Sequence, residues 1–160
     1  MYFITTRTRD HTDGLLTNSH KQIYWDVLEE SLSLFSVRLY GWTINVNHCH
    51  FLIYLLKSMD LEKFIQKLHG KSSFLLNKHD KKIGRKLWVN YWDRCVRSER
   101  DFFTRLNYLH HNSVKHGYVD KIEDYPWSSY RFYREKYGKD WLTEVFTTYP
   151  IIDFSLECPD

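Results

Sequence analysis

Cysteine is scarce: Cys49, Cys95 and Cys158 are the only three in 160 residues, scattered and without CxxC spacing. That odd, dispersed set excludes a disulfide framework and a cysteine zinc site, leaving reduced thiols as the expectation. No apolar run approaches the roughly 20 residues of a membrane-spanning helix, and the amino terminus lacks an apolar signal segment with a small-residue cleavage site. A soluble, cytoplasmic protein with no membrane partner is expected. Internal repeats and low-complexity tracts are missing as well. With 42% apolar residues the chain can bury one core but not two, so one domain is expected over 1–160. Charge of one sign is also lacking, since 23 basic and 20 acidic residues leave only +3. Such a total does not identify a nucleic-acid protein.

The distribution says more. Lys63, Lys67, Lys71, Lys78, Lys81, Lys82, Arg85 and Lys86 are opposed only by Asp80, a local excess suited to a phosphate backbone or to a solvated helix face. Aromatics make up 18%, with 6 Trp and 12 Tyr, enough to supply both a core and stacking platforms for unpaired bases.

Residues 2–8 are β-branched and aromatic, fitting a first strand. From Asn18, the spacing of Ile23, Val27, Leu28, Leu32 and Phe35 predicts a helix capped by Asn18 or Ser19. Two β-rich runs, 36–45 and 48–56, flank the short Val46-Asn47 connection. Leu61, Phe64, Ile65, Leu68 and Leu75 predict a second helix, whose polar side carries Lys63, Lys67 and Lys71. Residues 87–97 read as a fourth strand. A helix over 99–116 opens on Ser98 with Asp101 and closes on Gly117, and a short one is expected near 130–137. The order strand, helix, strand, strand, helix, strand implies an α+β, ferredoxin-like antiparallel sheet with helices packed on one face, the other being free for a site.

His48 and His50 flank Cys49 in a predicted strand, so both imidazoles project to one side and Cys49 to the other. A bare H-x-H is weak evidence of a metal in a chain with 9 histidines. Tyr108 and Asn112 add to it, because four residues apart on a helix they share one face. Phe102, Leu106 and Leu109 form that helix's core stripe, which leaves Tyr108 and Asn112 off its centre and facing a cleft.

These residues resemble a known family. His48-Cys49-His50, preceded by 42–47, is similar to the histidine-hydrophobe-histidine (HUH) motif of single-tyrosine transposases. Leu87-Trp88, Tyr91-Trp92-Asp93, the run from Tyr108 to Gly117 and Tyr125-Pro126-Trp127-Ser128-Ser129 follow in matching order. The resemblance is greatest to the REP-associated branch. It implies a metal-dependent transposase and endonuclease for single-stranded DNA, with His48, His50 and Asn112 as ligands of Mg²⁺ or Mn²⁺ and Tyr108 as nucleophile. It implies a 5′-phosphotyrosine intermediate, hairpin or palindromic repeat DNA as partner, a monomer or homodimer, and a carboxy-terminal extension from about 125. Candidate DNA contacts are Lys63, Lys67, Lys71, Lys115 and Trp127.

The chain departs from the family pattern at Val46 and Ser113, where proline is usual, and at Cys49, where a larger aliphatic is. The general base stays open among His110, His111 and His116. A DNA binder of the same fold that no longer cleaves, a water-using phosphodiesterase and a structural interaction module are the competing readings.

Overall fold

The computed structural model describes residues 1–57 and 60–154; Cys158, one of the three expected thiols, lies outside them. The chain runs β1 (Tyr2–Arg7), α1 (Asn18–Leu34), β2 (Arg38–Ile44), β3 (His48–Tyr54), α2 (Leu61–His79), β4 (Trp92–Cys95), α3 (Glu99–Lys115), α4 (Tyr130–Tyr137) and α5 (Lys139–Thr148). The four strands form one antiparallel sheet in the order β2-β3-β1-β4, the order the predicted ferredoxin-like topology requires.

Alternation along the strands divides the interior in two. Ile4, Cys49, Phe51 and Ile53 point to one side and pack with Tyr24, Val27, Leu28, Phe64, Ile65 and Leu68 of α1 and α2. Phe3 and Leu52 point to the other, where they meet Leu106, Tyr108 and Leu109 of α3. The helices expected on one face are thus α1 and α2, whereas α3 lies across the face expected to be free. An apolar stripe on α3 and apolar residues on the outer sides of β1 and β3 account for this: each covers the other. Gly41 sets the approach, because a Cβ there would stand 2.8 Å from Leu106 Cδ1 and 3.2 Å from Leu109 Cδ2.

Helix ends follow local chemistry. Ser98 Oγ accepts from Asp101 N–H at 3.1 Å. At the far end of α3, Gly117 (φ 68) donates to Val114 O and Tyr118 to Ser113 O, a Schellman closure. The cap of α1 falls one residue earlier than expected, on Thr17, which forms a capping box with His20. The fourth strand is shorter than 87–97. Residues 87–90 leave the sheet after one bridge, Thr8 to Trp88, because Leu87 and Trp88 turn into the α1/α2 core.

Residues 125–129 run along the outer edge of β2. Ile44 N–H donates to Trp127 O, Ser129 N–H to Trp42 O, and Tyr125 O–H to Ile44 O at 2.6 Å. This segment pairs an edge that would otherwise expose backbone groups. No described helix is long and apolar enough to cross a membrane.

Candidate functional site

β3 holds His48 and His50 on the α3 side of the sheet, their ring centroids 5.1 Å apart, with Cys49 in the opposite core. Each imidazole is oriented by a neighbour. Asn47 Oδ1 accepts from His48 Nδ1 at 2.7 Å, which in the neutral imidazole leaves Nε2 as the lone-pair nitrogen. Thr5 Oγ1 lies 2.9 Å from His50 Nδ1. Both contacts hold the rings in place, and the acceptor oxygen of Asn47 also puts a proton on His48 Nδ1.

α3 brings Asn112 to the same place: its Oδ1 is 2.8 Å from His48 Nε2. Two acceptor atoms at that distance repel unless something positive or a donor lies between them. Here the donor is Asn45, whose Nδ2 is 2.8 Å from His48 Nε2 and also hydrogen-bonds Asn112 Oδ1. Asn45 Oδ1 has no hydrogen-bond partner among the described residues, and neither has Asn112 Nδ2. Half a turn of the Asn45 amide would therefore converge three lone-pair atoms on one point. His48, Asn112 and Asn45 suit a small divalent cation in their donor chemistry, with His50 beside them.

Tyr108 stands one helical turn before Asn112, its ring 5.4 Å from that of His50. The two residues were expected to face an open cleft, but Tyr108 is 2% exposed and Asn112 fully buried. The reason lies at the far end of the chain. Phe154 meets the Tyr108 ring edge-on at 5.3 Å, Arg105 lies 4.2 Å over Phe154, and Asp153 pairs with Lys115 at 3.1 Å. Lys115 Nζ is 3.3 Å from the Tyr108 hydroxyl, which places one of the candidate DNA contacts beside the candidate nucleophile.

The two histidines of α3's second half and the one that caps its end separate clearly. His110 is fully buried, its Nε2 2.8 Å from Ser129 Oγ, and burial pushes its pKa down to about 3; it fastens the 125–129 segment. His111 is half-buried and lowered by desolvation and then by Lys115. His116 lies at the site, its ring 4.7 Å from that of His48.

The remaining candidates are not brought to this site. Lys63, Lys67 and Lys71 lie on α2, on the other side of the sheet, and Lys67 (3.3 Å) and Lys71 both pair with Glu30 of α1. Trp127 packs against the α1/α2 core and donates through Nε1 to Asn18 Oδ1 at 2.8 Å. A separate cluster of His20, His79 and Asp80 also has ligand-like spacing, but Asp80 is already paired with Arg85 at 2.8 Å. Sequence reasoning missed Asn45, Asn47 and Thr5 as members of the site. The first two stood in the quoted motif, and Thr5 could have been found only from the β1/β3 register, which pairs it with His50.

Residues 2–98 match the family model described as transposase IS200 like. The match includes His48 and His50 and ends before Tyr108. Among curated proteins, the chain is 28% identical to one from Haemophilus influenzae provisionally described as a REP-associated tyrosine transposase, over 88% of this chain and 86% of that one. It is 23% identical to the REP-associated tyrosine transposase of Escherichia coli K12, over 90% and 86%. A solved REP-associated tyrosine transposase bound to a REP hairpin superposes with a TM-score of 0.73 at 20% identity, covering 84% of this chain and 79% of that one.

Proposed function

Because the chain belongs to the IS200-like transposase family, we propose that it cleaves and rejoins single-stranded, hairpin-forming DNA through Tyr108. The observation that carries this reading is the convergence of His48 Nε2 and Asn112 Oδ1 at 2.8 Å, one turn from a tyrosine packed against His50. A hairpin substrate is supported by the relatives named for REP elements and by the fold shared with a protein solved on a REP hairpin.

His48, His50 and Asn112 would hold Mg²⁺ or Mn²⁺, which when bound withdraws charge from the phosphate and eases the approach of an anionic nucleophile. The Tyr108 oxygen attacks the phosphorus, the phenolic proton passes to a base, and the P–O3′ bond breaks. The products are a 5′-phosphotyrosine and a 3′-hydroxyl that has taken up a proton. The new ester conserves the energy of the old one, so attack by a 3′-hydroxyl reverses the step without ATP. Lys115 is placed to attract the phosphate towards the phenol, and Phe154 must leave the ring edge before DNA can reach it. Neutral ligands leave the cation's full charge for the phosphate.

Labelled hairpin DNA from the regions flanking the gene, mixed with protein and Mn²⁺ and run on a denaturing gel, tests this directly. Wild type is expected to give a denaturant-resistant protein–DNA band that is abolished by EDTA and by Tyr108→Phe. Free cleavage products from both proteins would replace the tyrosine mechanism with an activated water, and binding without cleavage would leave a DNA binder.

A further inference from the structure

The carboxy-terminal half of α2 and the loop that follows it frame a groove of about 520 Å³, lined by Phe74, Asn77, Lys78, Lys81, Ile83 and Gly84. Its large apolar side chains face solvent: Phe74 is 67% exposed and Ile83, at the tip of the loop, 99%. A single exposed apolar residue means little. A pair that lines one groove with lysines at its rim has the composition of an interaction site.

Ile83 does not stand out because the loop is slack. Lys82 N–H donates to Asn77 O at 2.9 Å, and the Asn77 side chain clasps the far end of the loop, Nδ2 donating to Arg85 O and Oδ1 accepting from Arg85 Nε, both at 2.8 Å. Lys81 and Gly84 take positive φ values of 56 and 79, which turn the chain sharply on either side of the tip. The isoleucine is therefore presented by a fixed turn, and a partner that meets it has little ordering left to do.

Charge chooses the occupant. Among the described residues no carboxylate lines the groove, and none pairs with Lys78, Lys81 or Lys82, whereas Lys67 and Lys71 share Glu30. Asp80 is turned away, with Oδ2 held by Arg85 and Oδ1 by His20, each at 2.8 Å. An apolar strip between unopposed lysines complements a segment of the opposite build, with large apolar side chains set among carboxylates. A phosphate backbone matches the lysines alone, and isoleucine offers no ring on which a base can stack.

We propose that the groove between α2 and the 80–85 loop docks an acidic peptide segment of another protein, whose large apolar side chain lies between Phe74 and Ile83 while its carboxylates meet Lys78, Lys81 and Lys82. α2 covers the sheet face opposite α3, so a partner seated there leaves the Tyr108 side of the molecule uncovered. DNA and this partner can be held together.

Fluorescence anisotropy tests this with a fluorescein-labelled peptide of aspartates that carries an internal leucine and a carboxy-terminal phenylalanine, compared with the same peptide in which asparagine replaces each aspartate. Wild type is expected to bind the acidic peptide in the micromolar range and the asparagine peptide about tenfold more weakly, the difference closing in high salt. Ile83→Ser and Phe74→Ser are each expected to weaken the acidic peptide about tenfold, and Lys81→Ala about threefold. Binding of labelled hairpin DNA by Ile83→Ser stays within about twofold of wild type. Side chains this exposed do not hold the fold together, which circular dichroism of both serine variants checks. Failure of wild type to bind the acidic peptide, equal binding of the two peptides, or undiminished binding by the serine variants overturns the proposal. Hairpin DNA that displaces the peptide and loses affinity with Ile83→Ser would give the groove to nucleic acid instead. Sedimentation velocity covers the last occupant: self-association of wild type that Ile83→Ser abolishes would give it to a second copy of this chain.

Discussion

Cys49 stands between two proposed ligands and takes no part in their chemistry, because strand alternation turns its thiol into the opposite core. Burial pushes that thiol up to about 12, against hydrogen bonds from Tyr24 and Thr6 that pull the other way. A thiolate is the reactive form. Cys95, by contrast, is exposed on β4. A chromogenic disulfide reagent at pH 8 is expected to modify Cys95 within minutes and to reach Cys49 only in denaturant. Rapid modification of Cys49 in the native protein, followed by peptide mapping, would contradict the packing of the α1/α2 core. At this scale the sequence was legible where alternation alone decides the outcome, as for His48, Cys49 and His50. Asn45 was illegible because its role depends on meeting Asn112 across 67 positions of chain.

Among the elements, α3 carries two of the proposed site residues, Tyr108 and Asn112, and Gly41 decides how closely it lies. Gly41→Val is expected to cost about 1–3 kcal/mol through overpacking and to lower adduct formation more than hairpin binding, since it lifts Tyr108 and Asn112 from the histidines. Urea unfolding and the denaturing gel check the two effects separately. Equal losses in binding and cleavage would mean that α3 does not position the chemistry. The run of strands and helices through α3 was readable because each has a strong period and clear end signals, such as Ser98 and Gly117. Residues 87–90 were not, since an apolar run looks alike whether it extends a sheet or turns into a core. α5 was overlooked, although Leu142 and Val145 have helical spacing and Gly138 ends α4 just before it. The placement of α3 on the far face was hidden as well, because amphipathic periodicity says that a helix has a buried side but not which layer buries it.

For the whole molecule, two buried neutral histidines set the response to acid. Burial lowers His69 to about 4 and His110 to about 3, against about 6.5 in an unfolded chain. Below about pH 6.5 the unfolded chain takes up protons that the folded one refuses, so stability present above that pH drains away as pH falls towards 4 and then 3. Unfolding free energy is expected to drop by about 2–4 kcal/mol between pH 7.5 and pH 5, and His110→Gln should remove about half of that drop. A flat profile over this interval would mean that neither ring is as dry as its surroundings indicate.

The two halves of the proposed centre also differ in when they come into existence. A chain emerging from the ribosome folds from its amino end, and by Cys95 every strand of the sheet has been made, with His48 and His50 already in place on its open face. Tyr108 and Asn112 arrive only with α3, and the segment that covers the tyrosine comes last. On the proposed mechanism, the reaction therefore waits for one late docking event, the seating of α3 over Gly41, and a polypeptide cut short before that helix would carry the imidazoles without the tyrosine.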